Sequence, residues 1–331
     1  MAATTLSDYT IIAKLIEGYV QANFTHKASL ITSGIVGTIP DDNLSHGMTW
    51  DARGRIQYHT RWQVPTAATD LTVNPLATWR ETGVVQNAAD AFGFEDFARV
   101  AAGDENALAA AGEIVLDSVR YNTEVTFLTY LLPGMFLSGG PLSTADTYMI
   151  QTGTAFETGG ANVAQARKLH GANGSNLSIL LMHPDVYYNA EINRVADNLD
   201  YDTIQRFNMM GLMYGGMFNG AIIILNDLVY NDSGTKTYHT YLCRPGSLLL
   251  GHQTSFGVVA FRDELLAAGT DIIKYKLGYC AHVPGVRFSG SVPTVIGGAT
   301  DAALLLGTNW TRRTSIGASE IGIVAIETVE A

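Results

Sequence analysis

Leu180-Leu181-Met182-His183-Pro184-Asp185-Val186-Tyr187 is the stretch on which the reading of the fold turns. The run from Asn176 to Met182 has the length and apolar content of a buried strand. His183-Pro184 ends it, and proline suits the first turn of a helix, so a helix is predicted from Pro184 to about Asn198. Downstream the pattern turns to strands, at 218–225, 237–243, 256–261, 272–283, 286–292 and 319–328. Turn signals at Asn231-Asp232-Ser233-Gly234 and Arg244-Pro245-Gly246 separate them, and a short helix is predicted near 299–306. Upstream are a Gly/Ser/Thr loop at 138–147 and a helix at 158–170. The order is mixed and lacks a parallel βαβ rhythm, so the class reads as α+β with antiparallel sheets.

Further upstream, Asp104 to Leu132 reads as one long helix. Leu108, Ala111, Val115, Val119, Leu128 and Leu132 keep helical spacing, Arg120 and Glu124 form an i,i+4 pair, and Leu132-Pro133-Gly134 is a stop signal. At ~1.5 Å per residue the rod is roughly 43 Å, long for a small core. The segment 1–47 opens with a helix that Ser7 can cap, with Ile11, Ile12, Leu15, Ile16, Tyr19 and Val20 on one face. A lone helix of that length is marginal in water, so it must dock on its own body or on a neighbour.

Residues 48–87 have a different texture. Apolar and polar residues alternate loosely, and Pro65 and Asn74-Pro75 interrupt them. The segment reads as a long β-hairpin or extended arm. Trp and Arg dominate interface hot spots. Trp50, Arg53, Arg55, Arg61, Trp62, Trp79 and Arg80 are therefore the candidate inter-subunit contacts, the alternative being a hairpin packed on its own sheet.

The 331 residues are 47% hydrophobic and only 15% charged, with a net charge of −11. So few charges fit either a surface covered by neighbouring subunits or a Gly/Ala-rich β protein with an ordinary surface. The acidic balance excludes a protein that grips nucleic acid over its whole surface, though not one that surrounds it. No signal peptide is legible in Met1–Tyr9, and no apolar run reaches the ~20 residues that span a bilayer. A soluble, cytoplasmic chain is expected. No Walker loop, Gly-x-Gly-x-x-Gly, Gly-x-Ser-x-Gly or His-Glu-x-x-His occurs, and the glycines at 211, 215, 216 and 220 fit a tight turn entering a strand. His239, Cys243, Cys280 and His282 are the right types for zinc. On one strand, however, His239 and Cys243 lie about 13 Å apart, too far for one ion. His183 fits a packed turn residue better than a base, and Asp263-Glu264 fits the first turn of a helix. No catalytic, cofactor or metal residues are assigned.

Three ordered stretches resemble the major capsid proteins of tailed double-stranded-DNA bacteriophages, whose fold is shared with encapsulins and the herpesvirus capsid floor. The first is Leu180–Tyr187. The second is Tyr238-His239-Thr240-Tyr241-Leu242, then Pro245-Gly246-Ser247-Leu248 and Phe261-Arg262-Asp263. The third is His282-Val283-Pro284-Gly285-Val286-Arg287-Phe288-Ser289-Gly290, followed by Thr308-Asn309-Trp310. They cover roughly 175–330. Leu131-Leu132-Pro133-Gly134-Met135-Phe136 matches more loosely.

The resemblance implies an α+β capsid fold. Its parts would be an N-terminal arm (1–47), an extended β-hairpin loop (48–87), a peripheral domain (88–174) with a spine helix at 104–132, an axial domain with mixed sheet and helices (175–280), and a return to the peripheral domain (281–331). It implies a structural protein forming pentamers and hexamers of an icosahedral head around DNA, in the virion and assembled in the host cytoplasm. Portal, scaffolding and decoration proteins would be partners, with no cofactor and no membrane. Joints for switching between rings are expected near 84–103 and 133–147. Some members weld the shell from a lysine in the extended loop; residues 48–87 have none, so no such bond is expected. The 47-residue arm is too short for a fused scaffolding segment, so a separate or already removed scaffold is expected. The competing readings are an encapsulin-like compartment for protein cargo and a cytoplasmic enzyme with an unrecognised site.

Overall fold

Alternation over the first half of one long strand organises one of the two main sheets. Ile273, Tyr275, Leu277, Tyr279 and Ala281 are all buried on one face, whereas Lys274 and Lys276 between them are exposed. Period-2 side-chain placement gives the sheet one covered face along the strand, and the other face is covered only at its end, where Cys280 and His282 are buried. The computed structural model describes residues 30, 33–39, 49–55, 78–95, 104–156, 161–192, 214–218, 220–232, 234–252, 257–263, 269–290, 298–313 and 320–330. The amphipathic helix expected within 1–47 lies outside these residues.

Six strands form the first sheet: β1 (Val36–Thr38), β2 (Thr49–Arg55), β3 (Thr78–Glu95), β10 (Leu248–His252), β11 (Gly257–Asp263) and β12 (Thr270–His282). Their order is β1-β10-β12-β3-β2, with β11 also beside β12. The second sheet has seven: β4 (Met149–Gln151), β5 (Ile179–Met182), β6 (Tyr214–Phe218), β7 (Ala221–Leu225), β8 (Asn231–Asp232), β9 (Thr237–Cys243) and β15 (Ile323–Val329). Its order is β4-β15-β9-β5-β7-β6, with β8 beside β9. A small ribbon pairs β13 (Val286–Phe288) with β14 (Trp310–Arg312).

A long helix covers the buried face of the first sheet. It starts as α1 (Asp104–Val125), widens into a π-helical stretch (Thr126–Leu131) and resumes as α2 (Leu132–Phe136). The predicted stop at Leu132-Pro133-Gly134 is therefore corrected. Within the wide turn the Leu132 N–H bonds the Phe127 carbonyl, five residues back. That shift of register lets Pro133, which has no N–H to give, occupy the first turn of a new helical segment. The Thr126 hydroxyl, bonded to the Asn122 carbonyl at 2.8 Å, sits where the widening begins. Two hydroxyl pairs tie helix to sheet: Ser118 with Tyr275 at 2.9 Å and Thr126 with Tyr279 at 2.7 Å. Phe127, Leu128, Leu131, Leu132, Met135 and Phe136 are fully buried between the sheets, each burial contributing about 1.5–3 kcal/mol.

The class is α+β, but the sheets are not purely antiparallel. β1 runs parallel to β10, β4 to β15 and β5 to β7. β5 and β7 flank α4 (Pro184–Ile192), so the crossover that a parallel pair needs is present. The strand expected at 218–225 is instead the hairpin β6–β7, which turns at Gly220 with φ +74°. Asp263 does not open a helix; it ends β11 opposite Thr270. Residues 84–95, expected as a joint, are strand, paired with β12 from Val85 to Glu95. Further α-helices among the described residues are α3 (Ala161–Leu169) and α5 (Asp301–Leu305), the latter capped by Thr300, whose hydroxyl accepts the Ala303 N–H.

Candidate functional site

Within 48–87 the described residues form a β-pairing. β2 pairs antiparallel with Thr78–Val84 of β3, in register from Thr49 opposite Val84 to Arg55 opposite Thr78. Strand alternation then sorts the candidate contacts. Trp50, Trp79 and Glu81 occupy positions of one face, and Arg53, Arg55 and Arg80 positions of the other. Arg53 stands directly opposite Arg80. Arg61 and Trp62 lie outside the described residues, and the described side chains do not include those of Trp50, Arg53, Arg55, Trp79 and Arg80.

A buried carboxylate marks the root of this hairpin. Glu81 is 4% exposed. Its Oε1 accepts the Gly285 N–H at 3.1 Å and Arg313 Nη1 at 3.0 Å, and its Oε2 lies 3.4 Å from His282 Nε2. Desolvation lowers the pKa of Arg313, against the opposing pull of Glu81 and Glu320. Nothing in the sequence singled out Glu81, because its partners lie some two hundred residues away. Two further carboxylates play comparable parts. Glu124 on α1 accepts the Leu30 N–H at 2.9 Å and Asn226 Nδ2 at 3.2 Å. Glu330 accepts the Phe156 N–H at 3.3 Å and Asn189 Nδ2 at 3.1 Å.

The residues with reactive side chains are placed for packing. His239 and Cys243 lie on β9 in the second sheet, and Cys280 and His282 on β12 in the first, so the four zinc-type residues do not converge. Among the described residues no group of three or more His, Cys, Asp or Glu could hold a metal ion. Burial pushes both thiols up to about 12, the wrong direction for a nucleophile. His183 accepts the Asp185 N–H at 3.1 Å through Nδ1, and its ring packs 5.1 Å from that of Tyr238, whose hydroxyl donates to Asp185 at 3.0 Å. That is a satisfied turn residue at the start of α4.

Exposed apolar side chains occur on two surfaces of the first layer. The outer face of the first sheet shows Val259 and Phe261 beside Lys274 and Lys276, and the outer ridge of α1 shows Ile114 and Tyr121 beside Glu113 and Asp117. No described helix is long and apolar enough to cross a membrane.

No protein-family model matches the chain, and no curated protein matches it. Solved structures do. The chain is similar to one described as the capsid of Ralstonia phage GP4, at 12% identity and a TM-score of 0.58, over 92% of each chain. A structure described as the capsid of a native GTA particle matches at 12% identity and a TM-score of 0.53, over 92% of this chain and 90% of that one. One described as Mycobacterium phage Che8 matches at 15% identity and a TM-score of 0.50, over 86% and 91%. The chain therefore has the fold of these phage and particle capsid structures, over most of its length rather than in one lobe.

Proposed function

We propose that this chain is the major coat subunit of a tailed-phage-type head and works by assembling, not by catalysing a reaction. The observation that carries this reading is the reach of the structural likeness, 92% of both chains for the phage GP4 capsid. A likeness of that extent leaves no sizeable part of the chain for another task. The hairpin with its Trp and Arg positions supports the same reading, as does the packing of the histidines and cysteines away from any common centre.

On this reading residues 1–47 are the arm and 48–87 the extended loop. Residues 88–174, with the helix 104–132 as spine, and the return 281–331 make the peripheral domain, and 175–280 the axial domain. Copies meet head to tail, close into pentamers and hexamers, and tile an icosahedral shell. The arm and loop spread contact over several neighbours, so modest interfaces combine through multivalency. With no lysine in 48–87, these contacts are non-covalent. Partners are further copies, a portal, a scaffolding protein and a decoration protein. The net charge of −11 suits a container wall that must not hold the DNA it encloses.

The test is to purify the full chain with and without scaffolding protein and examine it by sedimentation and negative-stain microscopy. Capsomer rings or closed shells are expected, with nuclease-protected DNA inside particles recovered from a producing host. A clean monomer or dimer that turns over a small molecule would sink the proposal. Shells that hold a folded enzyme instead of DNA would move it to the encapsulin-like reading.

A further inference from the structure

We infer that Glu81 is a latch that fixes the direction in which the 49–84 hairpin leaves the body of the subunit. β3 is one continuous strand with two successive partners. From Val85 to Glu95 it pairs with β12, and from Thr78 to Val84 with β2. β12 ends at His282, and the chain turns away through Pro284-Gly285. Beyond the handover the ribbon is two-stranded, and such ribbons twist more than wide sheets do.

The body grips β3 firmly up to Val85. Gly298, with φ +73°, closes on its backbone so tightly that a Cβ there would overlap the Val85 carbonyl oxygen. Glu81 is the next hold along the strand. Its three partners belong to the end of β12, to the turn behind it and to the residue after β14; none is in the hairpin. An apolar side chain could fill the same space. It could not fix the strand's direction, because it has no oxygen to accept a main-chain N–H and a guanidinium, bonds that the carboxylate's charge makes short and strong. At 4% exposure, water has little access to take the place of a lost partner.

The consequence for assembly rests on the coat-subunit reading, since a loop that must meet a neighbour has to leave at a set angle. The latch itself does not rest on it. From Thr49 to Arg55 the ribbon is about 20 Å long, so a swing of about 15° at the root moves its far end by about 5 Å.

Spin labels at Arg55→Cys on the hairpin and Gln165→Cys on α3 report that distance in the unassembled full-length subunit. Cys243 and Cys280, both buried, do not compete for label in the folded chain. One narrow distance distribution is expected in the parent. Glu81→Gln and Arg313→Ala should each displace or broaden it by about 5 Å, and Glu81→Asp, one methylene short, should fall between them and the parent. Should Glu81→Gln fail to fold, Arg313→Ala, at a side chain 18% exposed, decides the matter alone. A folded variant that is less stable but keeps the parent distribution makes Glu81 an ordinary buried ion pair and overturns the latch. The distances are read before assembly, so a chain that never forms shells still answers the question. Lost assembly with unchanged distances would overturn the latch and leave the coat-subunit reading standing.

Discussion

Gly134 offers the sharpest check on the packing. It lies inside the helical segment α2, where replacing glycine by alanine ordinarily adds about 1 kcal/mol of stability. The structure predicts the opposite sign. A Cβ on Gly134 would overlap the Leu304 carbonyl oxygen and lie 3.1 Å from the carbonyl carbons of Leu304 and Leu305. The obstacle is backbone on both sides, so no side chain can swing aside, and α2 and α5 must part by on the order of 1 Å. Overpacking of this kind costs about 1–3 kcal/mol, and rigid surroundings place it toward the upper end. Set against the propensity gain, Gly134→Ala should cost about 1–2 kcal/mol. At about 2.1 cal/mol/K per residue the chain unfolds with roughly 0.7 kcal/mol/K, so Tm should fall by about 1.5–3 °C. Gly257→Ala is the matched control. Its Cβ meets nothing within 4 Å, so alanine acts mainly by restricting the unfolded chain, and Tm should rise by about 0.5–1.5 °C. Both are read by circular-dichroism melts of the unassembled subunit. A Gly134→Ala chain that melts at or above the parent would refute the α2–α5 packing.

Three other outcomes are open to measurement. Tyr279→Phe removes the bond to Thr126 and should lower stability by about 1 kcal/mol in urea titrations; an unchanged midpoint would mean that the hydroxyl pair does not hold helix to sheet. Cys243 and Cys280, with thiols pushed up to about 12, should resist a disulfide reagent at pH 8 in the folded chain and react only after denaturation; fast labelling of either thiol without denaturant would contradict their burial. Trp62→Ala and Arg61→Ala should impair shell formation while changing subunit stability by no more than about 0.5 kcal/mol, and an equal loss of subunit stability would count against an arm role.

What could be read in advance follows from what periodicity encodes. β9 occupies the predicted 237–243 as a strand buried along nearly its whole length, and β12 lies within two residues of its predicted bounds, with alternation of buried and exposed positions over Ile273–Leu277. Alternation identifies a strand but not its partner, so the three parallel pairs stayed hidden. Pro133 read as a stop because a wide turn upstream leaves no mark in composition. Asp263-Glu264 read as a helix start because acidic pairs favour helix N-termini, whereas the ladder to Thr270 decides the position of Asp263. The pairing of 49–55 with 78–84 was legible in the loose alternation of that segment, whereas Glu81 at its root was not, because its partners lie some two hundred residues away.

Two buried carboxylates, Glu81 and Glu330, and the half-buried Glu124 give a reason why a chain only 15% charged keeps acids away from its surface. Glu81 joins β3 to residues 282–313, Glu124 joins α1 to residues 30 and 226, and Glu330 joins the end of β15 to residues 156 and 189. Each link crosses between segments that hydrophobic patterning could bring together in more than one register. Apolar contacts are non-directional and carry no donor–acceptor match between the segments they join. A carboxylate does, and a shift strands it without its donors in a poorly solvated place, a penalty of about 3–5 kcal/mol when one partner of a buried pair is lost. On the proposed coat-subunit reading, in which arms meet neighbours at set angles, registration of this kind matters more than added stability. If that is the role of these acids, Glu124→Leu should leave the melting temperature near the parent value yet widen the distances measured from Leu30 to the second sheet. Narrow, parent-like distances in that variant would show that apolar packing alone sets the register.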